Sequence, residues 1–177
     1  MSTTTHLEGI DAEGLQRLSD RATQDPASGQ KTIRSRTVCD GGFRNVTYVR
    51  DLEPVLVSEP PQLLGDNSAP NPTEVAFAAL GSCISVGLLA NATHQGVTLS
   101  RIDVALEGDI DISAVWGVGD TPDDELLGVS AVRVAITLAG DADEETLRRI
   151  TDRAVRWSPV VNTFTNPVAF SHELTIA

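Results

Sequence analysis

The chain has 177 residues, 41% of them hydrophobic, and a formal net charge of −12 at pH 7; that is about one domain's length. A surface this acidic repels phosphate backbones and anionic lipid, so neither nucleic acid nor a membrane is an expected partner. A compact chain of this size buries roughly 70% of the surface its unfolded form exposes and needs no disulfide staple.

The opening "MSTTTHLEGIDAEG" has no basic run followed by an apolar core, so no signal peptide is expected. Residues 1–30 read as an N-terminal extension, in which Leu7, Ile10, Leu15 and Leu18 line one face of a short helix ended by "QDPASGQ". From Lys31 the hydrophobic period becomes two. "KTIRSRTVC", "DGG" and "FRNVTYVRD" form a β-hairpin, with Asp40, Gly41 and Gly42 supplying the positive-φ turn. "EPVLVSEPP" is a short strand closed by prolines, and "QLLGDNSAPNP" is a loop.

A long helix follows, from Asn71 to Gly96, about 35 Å in length. Asn71 caps it, Pro72 suits its first position and Glu74 sits three residues after the cap. "RIDVALEGDIDIS" then alternates strictly, with Ile102, Val104, Leu106, Ile110 and Ile112 on one face, as in a sheet covered on a single side. After the acidic connection "VWGVGDTPDDELLG", the strand "VSAVRVAITLAG" turns Val132, Val134, Ile136 and Leu138 inward. A second helix starts at Asp141, which stands at capping-box spacing from Glu144. Leu147, Ile150, Ala154 and Trp157 form its core stripe, and Pro159 stops it. "NPVAFSHELTIA" closes the chain as a strand, with Val168, Phe170, His172, Leu174 and Ile176 on one side. Antiparallel strands interrupted by two helices give an α+β fold with the helices gathered on one face.

The long helix is apolar nearly all round, yet Ser82, Ser85 and Gly87 interrupt it, so it reads as buried in protein and not in lipid. Ala76, Ala79, Gly87 and Ala90 share the face of Cys83 and allow a tight helix–helix contact, either within the chain or with the same helix of a second copy. Cys83 itself has two readings. It is a packed, inert thiol, as most buried cysteines are, or a reactive one. An unperturbed cysteine is only about 3% thiolate at pH 7. Raising that to roughly three-quarters takes about 2.7 kcal/mol of preferential stabilisation of the charged form, which mid-helix must come from a cation brought in from elsewhere. With Cys39 and Cys83 alone there is no disulfide framework, which points to a reducing cytoplasm. His6, His94 and His172 stand far apart with no acid or cysteine at ligand spacing, so no metal site is expected.

"PNPTEVAFAALGSC", the helix end at "HQGV", "IDVALEGDIDI" and "SPVVNTFTNPV" together resemble the OsmC/Ohr family, the osmotically inducible and organic hydroperoxide resistance proteins. The resemblance spans about residues 31–177, leaving the first thirty outside it. It implies an intertwined homodimer in which antiparallel β-sheets from both subunits wrap two long central helices. It also implies a site of two cysteines and an arginine, and no cofactor. Cys83 occupies the place of the first cysteine. The arginine follows a glycine pair in the first hairpin, where "DGGFR" puts Arg44; the match is offset by one residue, which keeps Arg36 as the alternative.

Two positions depart from the family pattern. The second cysteine belongs to a Cys-Pro pair after the second helix, and "RWSPVV" has Ser158 there, which cannot form a disulfide. The family's glutamate is expected where Thr73 stands, one position before Glu74. Glu74 also projects from the opposite side of the helix to Cys83, and a capping-box role describes it equally well. Cys39, on the hairpin of Arg44, is either a buried strand cysteine or a substitute second thiol. The function implied is thiol-dependent reduction of organic hydroperoxides, with Cys83 as nucleophile; from the apolar residues of the sequence, Phe77, Leu80, Ile84, Trp157 or Phe164 are chosen to line an apolar pocket for such a substrate. An external dithiol would act as reductant. The alternative is a redox sensor, or a dimer of the same fold that binds a small apolar ligand.

Overall fold

The computed structural model describes residues 6–116 and 128–177; the acidic connection expected after the first long strand lies mostly outside them. The element order is α1 (Ala12–Gln24), β1 (Arg36–Gly41), β2 (Arg44–Tyr48), β3 (Val55–Val57), α2 (Pro72–His94), β4 (Leu99–Asp111), β5 (Gly128–Gly140), α3 (Glu144–Trp157) and α4 (Pro159–Thr165). The α+β class and its antiparallel strands are as the alternation indicates. β1, β2 and β3 form one three-stranded antiparallel sheet and β4 and β5 a separate antiparallel ribbon.

The ends of α2 are written into its flanking residues. The Asn71 side chain accepts the Glu74 N–H at 2.8 Å, and Glu74 Oε2 accepts the Asn71 N–H at 2.8 Å, with Pro72 beginning the helix. At the other end Val97 N–H reaches the Ala92 carbonyl at 2.9 Å and Gly96 N–H reaches Thr93 at 3.1 Å. This double closure needs a left-handed residue, which Gly96 supplies at φ +69°.

Leu80, Ile84, Leu88 and Ala92 repeat every four residues along α2 and are fully buried, joined in the core by Leu99, Ile150 and Ala154. Ile102, Val104 and Leu106 of β4 and Val132, Ile136 and Leu138 of β5 pack on that row from one side. Although α2 is long and apolar enough to cross a bilayer, this row is covered by protein. The small-residue face meets α3 of the same chain: a Cβ on Gly87 would lie 3.3 Å from that of Ala154. The outer stripe of Ala78, Ser82 and Val86 is uncovered, with Val86 68% exposed.

Strand β4 alternates as far as Gly108 with Ile102, Val104 and Leu106 inward as expected, but a register shift at Asp109/Ile110 breaks the pattern and leaves Ile110 exposed; on β5 Val134, expected inward, is exposed as well. On the ribbon's wet face Arg133 binds Glu107 at 2.7 Å and Asp109 at 2.7 Å, an acid–base–acid clamp across the two strands. Gly108 lies between those acids on the opposite face, where a Cβ would collide with the Phe77 ring.

Several expectations are corrected. The cap of α3 is Asp143, whose side chain accepts the Thr146 N–H at 2.8 Å. Asp141 instead ties β5 to the start of β4, accepting the Thr98 N–H at 2.8 Å. Ile150 and Ala154 are core residues, but Trp157 points outward with the Arg156 guanidinium 5.1 Å from its ring centre. Pro159 ends α3 and at once begins α4. Residues 167–177 are exposed and join no sheet, leaving Phe170 89% exposed. The three-stranded sheet likewise has no substantial packing against α2. In consequence the single chain exposes 13436 Å², about half of the roughly 27,000 Å² scaled for an unfolded chain of this mass. The fraction buried falls well short of the expected 70%.

Candidate active site

Cys83 lies in the middle of α2, half-buried, on the face turned toward α3 and α4. Its partner is the side chain that follows α3. Ser158 Oγ donates to Cys83 Sγ at 3.1 Å and accepts the Val161 N–H at 3.2 Å, with Ser158 only 3% exposed. Two positions 75 residues apart are thereby brought into contact. Ser158 is both the C-cap of α3 and the N-cap of α4. Its backbone is held as well: its N–H reaches the Val155 carbonyl at 3.3 Å, and its carbonyl accepts Asn162 N–H at 3.0 Å and Asn162 Nδ2 at 2.8 Å.

Aromatic rings stand along the same elements. Phe77, nearly two turns before Cys83 on α2, and Phe164 on α4 have ring centres 6.4 Å apart. Leu80 and Ile84 belong to the buried core row, so they back this region and do not line an open cavity. Trp157 borders a different cleft, with His94 and Arg149. A cavity of about 530 Å³ opens beside Phe77, walled by Leu63, Ile110, Ile112 and Val115, with Glu59 at its edge. Glu59 Oε2 is buried there and has no hydrogen-bond partner among the described residues.

The cation expected at Cys83 is otherwise engaged within the chain. Arg44 Nη1 donates to Asp66 Oδ2 at 3.1 Å, and its Nε is 3.9 Å from Asp40. Asp66 also accepts the hydroxyls of Ser58 and Ser68, each at 2.6 Å. Ser58 first, then Ser68 and Arg44, hold the Asp66 carboxyl well below the usual carboxylate range, with desolvation opposing them. Arg36 lies over the Tyr48 ring at 4.7 Å from its centre. Cys39 is exposed on β1, its sulfur accepting the Gly41 N–H at 3.4 Å. Glu74 is occupied as the cap of α2. The structure therefore unites Cys83 with Ser158, and leaves Arg44, Arg36 and Cys39 together on the detached sheet. Asp66 escaped the sequence reading because "GDNSAP" looks like an ordinary loop. Its one local signal was the serine two residues on, Ser68; Ser58 lies eight residues earlier.

The profile described as OsmC-like protein matches residues 65–173. The chain belongs to the OsmC-like protein family. The solved structures agree on the fold of this OsmC-family chain. An OsmC-like protein from Mycoplasma pneumoniae aligns with a TM-score of 0.64 at 12% identity, over 77% of this chain and 89% of the other. A protein from Psychrobacter arcticus, described as a putative osmotic stress induced and detoxification response protein, gives 0.59 at 18% identity over 76% and 89%. A Legionella pneumophila protein described as an organic hydroperoxide resistance protein OsmC gives 0.57 at 17% identity over 77% and 90%. No curated protein matches the chain by sequence.

Proposed function

We propose that this chain reduces organic hydroperoxides through Cys83, as a cytoplasmic homodimer. The observation that carries the reading is the 3.1 Å contact between Cys83 and Ser158. It joins the two positions that the family resemblance makes chemical. The Cys83 thiolate attacks the terminal peroxide oxygen. The O–O bond breaks with its electron pair passing to the departing alkoxide, which takes up a proton to leave as the alcohol, and Cys83 becomes a sulfenic acid. A dithiol from solution then reduces it: one thiol displaces water from the sulfenic acid to form a mixed disulfide. The second thiol releases Cys83 and closes the reductant's own disulfide.

The homodimer is supported by what one chain leaves bare: the Ala78–Ser82–Val86 stripe, the detached sheet and the apolar residues 167–177. In the dimer the hairpin of one subunit lies over α2 of the other, so Arg44, with Arg36 as the alternative, serves the Cys83 of the opposite subunit and steadies the departing oxygen. Cys39 travels with that hairpin and is the internal candidate for a second thiol. Phe77 and Phe164 supply the apolar wall that favours a bulky hydroperoxide, and Trp157 lies further out. Glu74 acts first as a helix cap.

Steady-state consumption of cumene hydroperoxide with dihydrolipoamide tests this against Cys83→Ser. The variant is expected to fall to the uncatalysed rate, and equal rates for the two proteins end the proposal. Ser158 in place of a thiol favours a second reading, a sensor oxidised once and recycled slowly. In that case one equivalent of oxygen is gained at Cys83 but consumption stops after a single turnover.

A further inference from the structure

We infer that Ser158 is a positioning residue whose hydroxyl donates to the Cys83 sulfur and steadies the thiolate that attacks, an inference that rests on the peroxide-reducing reading above. A serine hydroxyl has one proton to give and two lone pairs. Val161 N–H takes one lone pair at 3.2 Å, and the proton is given to Cys83 Sγ, 3.1 Å away. The hydroxyl has little freedom to turn elsewhere. Ser158 is buried, its N–H and carbonyl are both bonded, and Pro159 fixes the backbone that follows. A donor fixed before the reaction favours the charged form of its acceptor and needs no rearrangement when the charge appears. α2 itself gives Cys83 little such help, because the field of its N-terminus fades beyond the first turn.

The same residue decides the next step. A thiol here would be placed to condense with the sulfenic acid and expel water, giving an internal disulfide. The Ser158 oxygen cannot do this, so the sulfenic acid persists until an external thiol arrives. One side chain thus assists the first half of the cycle and leaves the second half to a partner in solution.

Alkylation of native protein by iodoacetamide across pH, scored peptide by peptide so that Cys39 is separated from Cys83, provides the test. In Ser158→Ala the Cys83 profile is expected to move about one pH unit upward, the size of one hydrogen bond to a charged group, with labelling at pH 7 slowed about threefold to tenfold. Ser158→Thr, which keeps the hydroxyl, is expected to restore the wild-type profile. Circular dichroism of each variant reports whether the α3–α4 junction is intact. Coincident wild-type and Ser158→Ala profiles overturn the assignment. In parallel, intact mass after one equivalent of cumene hydroperoxide should rise by about 16 Da in the wild type. Ser158→Cys should instead end about 2 Da lighter than its reduced form, with Cys83 joined in a disulfide to the introduced thiol. A shifted Ser158→Ala profile with no oxygen gained by the wild type overturns the peroxide reading and leaves the hydrogen-bonding role of Ser158 standing.

Discussion

The stretch from α2 to α4 and the two segments that flank it obey different rules. Between Pro72 and Thr165, helices and ribbon meet on a shared core of Leu80, Ile84, Leu88, Leu99 and Ile150, and Cys83 with Ser158 is fixed inside that frame. The β1–β3 sheet and residues 167–177 carry exposed apolar side chains that no described residue covers, among them Val38, Leu56, Val168 and Phe170. The first region carries its own core in one copy, with the Ala78–Ser82–Val86 stripe of α2 left bare. The second has the composition of an interior and the exposure of a surface, which is the surface the proposed second chain would cover.

The sharpest way to break this contrast is to damage the self-sufficient half. Leu88→Ala removes a fully buried side chain and should cost about 2–5 kcal/mol in denaturant unfolding. If the cost is under about 1 kcal/mol, the α2 row is not the core described here. Phe170→Ala probes the other half. In a covered position it should cost more than about 1 kcal/mol per subunit and make Tm depend on protein concentration. A side chain that stays in water should cost less than about 0.5 kcal/mol with no concentration dependence. Smallest is Asp66→Asn, which affects only the loop anchoring Arg44. The Asp66 carboxyl titrates lower in the folded state than in the unfolded chain. Its contribution is therefore present in full above about pH 4 and is lost as pH falls through the folded-state value. The variant should melt slightly below the wild type at pH 7, with the difference closing on acidification below pH 4; a gap independent of pH would remove the carboxylate from the argument.

Much of the self-sufficient half was legible because its signals are local. The Asn71–Glu74 capping box, the alternation of β4 and the Ile150–Ala154 stripe each follow from spacing alone. Where the reading slipped, a choice between similar residues was at stake. Asp141 and Asp143 both suit a cap, and only the closing of β5 onto Thr98 separates them. α4 is seven residues long and starts at the proline that ends α3, so it leaves no periodic trace. The small face of α2 was readable as a close contact, but periodicity says which side is covered and not by what; Gly87 meets Ala154 of its own chain. The same limit applies to the alternating tail after Asn166, whose pattern is that of a strand although no described residue pairs with it. Cys83 was visible as a candidate; its meeting with Ser158 across 75 residues is encoded by no local spacing, and only the family resemblance placed Ser158 at the partner position.

The clamp of Arg133 on Glu107 and Asp109 has a bearing on the aromatic wall of the candidate site. Those acids flank Gly108, the one spot on β4 bare enough to seat the Phe77 ring. Side chains on a strand swap faces with every single-residue shift, so a slip would push a carboxylate under the ring. By pinning the ribbon from its watery side, one arginine keeps the greasy seat free of charge on the other.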